Sequence, residues 1–327
     1  MINEKKCDLG IVFRPEYAPE NLPGFARRAE EAGFDELWVW EDCFYAGGIA
    51  SAAAALANTE RIKVGVGIMP AVVRNPVFAA MEIAALARLF PGRILAGFGH
   101  GVARWMHQIG AFPRSQLKAL AEVTATVRDI LAGQRVSYDG TEVHLEEAEL
   151  VHPPRIVPPI SLGVRGPKSL ALSGRVADGT ILAEYAGPAY VSWAREQMEI
   201  GKTDAGHDRD QLVTVFVVTC AAVTTAAARR EVRPIVARAV YSGKIDAQLE
   251  PLGILPQVQE LRDGAQLEQF ALAMPEAWID QLAIAGTSED WQLAVDRFIA
   301  AGANSVVLVP LPGKGLEELE VFVAQLH

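Results

Sequence analysis

The chain has 327 residues, half of them hydrophobic and only 7% aromatic, with a formal net charge of -10. Such a length leaves room for a parallel α/β barrel of ~250 residues with insertions, its interior filled by Ala, Val, Leu and Ile rather than by rings. The acidic balance argues against general nucleic-acid binding, which needs a concentrated excess of Lys and Arg, but leaves anionic cofactors within reach of local backbone dipoles.

Met1 leads into Ile2-Asn3-Glu4-Lys5-Lys6 without the apolar core of a secretory leader, and no run reaches the ~18 apolar residues of a membrane span. Cys7, Cys43 and Cys220 are odd in number, far apart and outside any Cys-x-x-Cys pairing, so they read as reduced thiols rather than metal ligands. The expectation is a soluble cytoplasmic protein with no nucleic-acid, membrane or metal partner.

Short apolar runs bounded by turn residues alternate with helical periodicity, the pattern of a parallel sheet wrapped by helices. Eight strands are predicted: Asp8 to Phe13, Asp35 to Trp40, Ile62 to Ile68, Ile94 to Gly99, Ile160 to Val164, Gly179 to Ala183, Leu212 to Val218 and Ser305 to Val309. A helix is expected to start at Asn75-Pro76, where Asn caps and Pro is preorganised for the first turn. Leu117, Leu120, Val123, Val127 and Leu131 recur at three- and four-residue intervals and give another helix one apolar face. Asp139-Gly140, flanked by β-type residues from Val136 to Val143, predicts a hairpin outside the barrel. The stretch from about Thr225 to Ser288 reads as a helical insertion within a single domain covering 1–327. It either covers a substrate pocket, makes a subunit contact or serves packing alone.

A parallel barrel builds its active site where the strands end. The second run ends in Trp40-Glu41-Asp42-Cys43, the third in Gly65-Val66-Gly67-Ile68 and the fourth in Gly97-Phe98-Gly99-His100. Glycines there let the backbone approach a flat ligand, and His100 is the nearby side chain that titrates near neutrality. The fifth run opens into Gly163-Val164-Arg165-Gly166-Pro167-Lys168-Ser169. Its glycines, a proline that starts a helix and two cations suit a phosphate at a helix N-terminus, the rival reading being a plain turn with solvated cations. Leu311-Pro312-Gly313-Lys314-Gly315 competes for the phosphate. Arg104, Trp105, Glu184 and Tyr185 are candidate pocket walls.

Taken together these segments resemble the luciferase-like monooxygenase superfamily, and within it the deazaflavin-dependent reductases. The resemblance rests on Ala32-Gly33-Phe34-Asp35-Glu36-Leu37-Trp38, Gly65 to Pro76, Gly97 to His100, Gly163 to Gly179, Ala285 to Asp290 and Ala301 to Ser305. It implies a TIM-like (β/α)8 barrel holding a ring at the strand ends, with deazaflavin F-420 preferred and FMN the alternative. The ring's phosphate falls near Gly163 to Ser169. A non-prolyl cis peptide falls at Gly67-Ile68, forming a bulge behind the ring. The implied function is hydride transfer to or from a small organic substrate in a homodimer, with His100 or Asp42 handling the proton. A reduced-FMN monooxygenase and a non-catalytic ligand-binding barrel are the rival readings. Two departures stand out: many deazaflavin enzymes read Asp-His where this chain has Asp42-Cys43, and a related sugar-phosphate dehydrogenase has an acid where His100 stands.

Overall fold

A computed structural model describes residues 7–314; Met1 to Lys6 and Gly315, on which two of the sequence readings fall, lie outside them. Along the chain the strands are β1 (Asp8–Phe13), β2 (Glu36–Val39), β3 (Lys63–Pro70), β4 (Ile94–Gly99), β5 (Val136–Asp139), β6 (His144–Ala148), β7 (Ile160–Gly163), β8 (Gly179–Leu182), β9 (Leu212–Ala221), β10 (Ala283–Gly286) and β11 (Ser305–Pro310). The main sheet runs β10-β9-β11-β1-β2-β3-β4-β7-β8, and β8 pairs again with β9, which closes eight strands into a barrel. The ladders β11–β1, β2–β3, β3–β4, β4–β7 and β7–β8 are all parallel. All eight predicted strands are present.

The helical segment expected at 225–288 is present, and it ends in an additional ninth strand, β10. Helix α12 (Glu276–Leu282) runs straight into it, and its four residues pair with Val218–Ala221 at the end of β9. That pairing also carries β9 three residues past the predicted end at Val218.

The described chain divides into two compact units. One comprises residues 12–181 and 197–212. Its interior shows why glycines are spaced along β3: Trp38 stands in register with Gly65, and a Cβ on Gly65 would fall 2.3 Å from the indole ring. Trp38 Nε1 donates to Glu36 Oε2 at 2.8 Å, and both residues are buried.

Helix α3 (Pro76–Leu89) starts as predicted, with Asn75 Oδ1 accepting from the Val77 N–H at 2.9 Å. Helix α5 (Gln116–Leu131) buries Leu120, Val123, Val127 and Leu131 of the predicted stripe, while Leu117 stays exposed. The hairpin β5–β6 turns through a longer loop than Asp139-Gly140 alone, its closing pair being Asp139 and His144. The buried Glu122 carboxylate of α5 explains why. It accepts the N–H groups of Thr141, Glu142 and Val143 at 3.0, 2.8 and 3.0 Å, and donors taken this way cannot enter a strand ladder.

Helix α6 (Pro167–Val176) meets the second half of α7 (Pro188–Ala205) backbone to backbone. A Cβ at Gly174 would lie 1.9 Å from the Met198 carbonyl oxygen, and one at Gly201 would lie 1.8 Å from that of Ala171.

The other unit comprises residues 182–196, 213–314 and the start of β1. Helices α8 (Thr225–Tyr241) to α12 enclose a core that includes Val232, Val236, Phe270, Trp278 and Ile279. Gln248 is fully buried within this unit and donates to the Ala183 and Glu184 carbonyls at 3.3 and 2.8 Å. Among the described residues no helix is long and apolar enough to cross a membrane.

Candidate functional site

The carboxyl ends of β3, β4 and β7 lie side by side, and one side chain joins them. The Gly67-Ile68 peptide is cis, and the β3–β4 register shifts between Val66 and Met69, so the bulge expected at this position is present. Ile68 leans from the bulge across its neighbours. A Cβ at Gly97 would fall 3.4 Å from Ile68 Cγ2 and 2.6 Å from the Val66 carbonyl oxygen. At Gly99 it would fall 2.9 Å from Ile68 Cγ1, and at Gly163 2.5 Å from Ile68 Cγ2. Gly99 and Gly163 are therefore spatial requirements of one half-buried isoleucine, while Gly97 makes room for the Val66 carbonyl and for Ile181, whose Cδ1 would lie 2.6 Å from a Cβ there. The absent side chains of the three glycines leave backbone and Ile68 as the lining, a surface with room for a close, flat approach.

His100 follows β4 directly and reaches the next element. Its Nε2 lies 3.4 Å from the Ser169 hydroxyl, which sits on the first turn of α6. Nδ1 is buried without a hydrogen bond among the described residues. Burial holds the imidazole pKa below its ordinary value; the Gln116 backbone, near the ring but outside hydrogen-bond geometry, pulls the other way. The ring is thus biased to the neutral form, which carries one donor and one acceptor nitrogen.

The Gly163 to Ser169 segment supplies an uncapped helix end. Gly166 is the N-cap with no side-chain cap, Pro167 opens the helix, and no acid stands in the first turn. The space where a Gly166 Cβ would sit is open to 4 Å. Val164 is buried and turns inward, whereas Arg165, Pro167 and Lys168 are exposed. The Ser169 and Leu170 amides are taken by the Gly166 carbonyl at 3.0 and 2.9 Å, so the positive helix end presents the Lys168 N–H, with two exposed cations in the same segment.

Asp42 is half-buried in the loop after β2, where its carbonyl accepts from Tyr45 N at 3.2 Å and Phe44 adopts a φ of 76°. His100 has Ser169, not Asp42, as its hydrogen-bonding neighbour. At the departure from the family pattern, burial first and then the Asp42 and Glu41 charges push the Cys43 thiol up, so Cys43 is no substitute for a neutral-pH histidine.

Sequence reading passed over Glu41 and Arg74. Arg74 Nη1 and Nη2 grip both Glu41 oxygens, the second at 2.7 Å, while its Nε donates to Glu82 at 2.9 Å. Glu41 Oε2 also accepts the Gly48 N–H at 2.8 Å, at the start of helix α2 (Gly48–Ala57). This clamp ties the loops after β2 and β3 together. The Arg74-Asn75-Pro76 triplet was the available signal, but nothing local paired it with an acid 33 residues away. A groove of about 410 Å3 opens beside it, bordered by Arg74, Phe112 and His144.

Of the candidate walls, Arg104 is exposed and Trp105 half-buried on helix α4 (Ala103–Gln108). Tyr185 has a φ of 69° and packs on the helical core of its own unit. The rival phosphate turn is less open: Lys314 is ion-paired with Glu231.

Comparison with known proteins agrees with the barrel fold. The chain is 29% identical over 305 residues to 5,10-methylenetetrahydromethanopterin reductase of Methanolobus tindarius, covering 91% of this chain and 92% of that one. It is 30% identical over 216 residues to the F420-dependent glucose-6-phosphate dehydrogenase of Microbacterium testaceum, covering 62% and 64%. Its fold superposes on coenzyme F420 dependent tetrahydromethanopterin reductase of Methanopyrus kandleri with a TM-score of 0.82, at 23% identity and 97% coverage of both chains. The profile of the luciferase-like monooxygenase family matches residues 12–305, and the chain belongs to that family.

Proposed function

We propose that the protein is an F-420-dependent oxidoreductase acting on a small organic substrate, with its site at the ends of β3, β4 and β7. The observation that carries this reading is the junction of Ile68, Gly97, Gly99 and Gly163 beside the open, uncapped start of α6. Relatives named F420-dependent match up to 62% of the chain, a structure named coenzyme F420 dependent shares its fold, and an FMN-containing monooxygenase shares the fold at 17% identity.

The residues present fit the cofactor. When bound, F-420 supplies a two-electron, hydride-carrying ring. Ile68, Gly97, Gly99 and Gly163 would line the place where that ring is held, leaving the substrate to be positioned against it. The free N–H of Lys168 at the start of α6, with Arg165 and the Lys168 ammonium, holds the phosphate. His100, kept neutral by burial, exchanges a proton with the substrate's oxygen or nitrogen as charge develops there, and Ser169 orients its Nε2. Asp42 is the alternative proton carrier.

The working form in this reading is a cytoplasmic homodimer. Phe78, Met81 and Leu89 are exposed on α3 and give one helix face an apolar surface suited to a second copy.

Titrating the purified protein with F-420 and FMN in parallel, followed by ring fluorescence and absorbance, tests the cofactor. Tighter binding of F-420 supports the proposal. Tight FMN binding without F-420 binding rejects it in favour of the monooxygenase reading.

A further inference from the structure

A second pocket of about 510 Å3 lies where β7 and β8 begin, whereas the site above lies where the strands end. Arg128, Asp178 and Arg209 line it, with Asp129 exposed at its rim. The Asp178 carboxylate is fully engaged: Oδ2 accepts the Ile160 N–H at 3.0 Å and Oδ1 faces Arg128 Nη2 at 3.1 Å. Arg128 Nη1 donates to the Val176 carbonyl at 2.8 Å.

Arg209 has no such counterion. Among the described residues its guanidinium contacts only the Arg175 carbonyl, at 3.3 Å from Nη2, and His207 Nε2, at 2.9 Å. Its Nε is buried without a partner. Burial, and after it the Arg128 charge, hold the Arg209 pKa below its ordinary value, and Asp178 offsets this only in part. An arginine stays protonated at any physiological pH, so the positive charge persists and its balance is incomplete.

We propose that this pocket is a binding site for a compact oxyanion, a phosphate group, held between the Arg128 and Arg209 guanidiniums. Planar, forked donors match the paired oxygens of a phosphate, and a half-buried pair of like charges with one engaged carboxylate is the setting in which such an anion gains most. Nothing in the cofactor reading uses these residues. The site is thus a second one, suited to a free phosphate ion or a phosphomonoester.

Calorimetric titration of the whole chain at fixed ionic strength tests it, with inorganic phosphate and glycerol 3-phosphate as probes and chloride as the control. The titrations are made in the Arg165→Gln/Lys168→Gln background, which removes the cations proposed for the cofactor's phosphate, and phosphate is expected still to bind there. Arg209→Gln should weaken binding by roughly tenfold or more. Arg209→Lys, which keeps the charge and safeguards folding, should give an intermediate loss because the fork is gone. Tighter binding of glycerol 3-phosphate assigns an ester and the reverse assigns the free ion. Heats no different from chloride, or a phosphate signal that survives in both Arg209 variants, overturn the proposal.

Discussion

Ile68 and Gly163 are mutually dependent: the isoleucine Cγ2 occupies the place beside which any Cβ at position 163 would stand only 2.5 Å away. Neither residue is informative alone. Their contact makes the end of β7 part of the same surface as the β3 bulge.

Gly163→Ala should therefore force Ile68 from its position. The expected cost is ~1–3 kcal/mol of stability, typical of overpacking a tight site, together with weaker F-420 binding. Adding Ile68→Ala should restore much of the stability, as measured by urea unfolding, without restoring cofactor affinity. Equal stability of Gly163→Ala and the parent would sink this account.

For His100, the depressed pKa fixes the direction of two pH effects. Folded His100 binds its proton less readily than the unfolded side chain, whose ordinary value is 6.5, so stability from this residue is present above that value and is lost as pH falls toward the folded pKa. His100→Gln should flatten that part of the stability profile. Once a substrate is known, the same replacement should slow the chemical step by roughly 10²–10⁴-fold, with cofactor binding little changed. A parental single-turnover rate in His100→Gln, with loss in Asp42→Asn, would transfer the proton to Asp42.

The hairpin gives an acid-side counterpart. Burial raises the Glu122 pKa, but three backbone N–H groups outweigh it and hold the carboxyl below its ordinary value. Its stabilisation is present above 4.5 and is lost as pH falls through the lowered folded pKa. Glu122→Gln should speed hydrogen exchange at Thr141, Glu142 and Val143 and cost on the order of 1–3 kcal/mol. Unchanged exchange at those three amides would contradict the anchoring role.

Replacing Arg165 and Lys168 together tests the cofactor's phosphate. The double Gln variant should bind intact F-420 more weakly and a phosphate-free ring analogue as before, since cations at a helix start act on the anion. Equal losses for both ligands would place the phosphate elsewhere.

The barrel was legible because buried parallel strands are short apolar runs, and Asp8–Phe13 and Ile94–Gly99 were readable to the residue. β10 escaped because Trp278-Ile279-Asp280-Gln281-Leu282 leads into Ala283-Ile284-Ala285 with no turn residue between helix and strand. Only the ladder to β9 decides the backbone there. Strand-end glycines could be read as space, but not as space for Ile68. The proximity of His100 to Ser169 was likewise hidden, since 69 residues separate them and the pairing of β4 with β7 brings them together. Glu41 and Arg74 failed for the same reason: each is an ordinary loop charge until the loops meet.

The glycine contacts at the far end of α6 have a consequence for how its first turn behaves. With Gly174 pressed on the Met198 carbonyl and Gly201 on that of Ala171, α6 is wedged from behind by a neighbour with no slack in it. A rod fixed at its tail cannot pivot freely at its tip. With the Ser169 amide held by the Gly166 carbonyl at 3.0 Å, the Lys168 amide is the donor whose direction this fixes, so an anion proposed to bind there would need little reorientation of it. Gly174→Ala, about two turns from that amide, would act as a lever on it without altering any group proposed to touch the ligand.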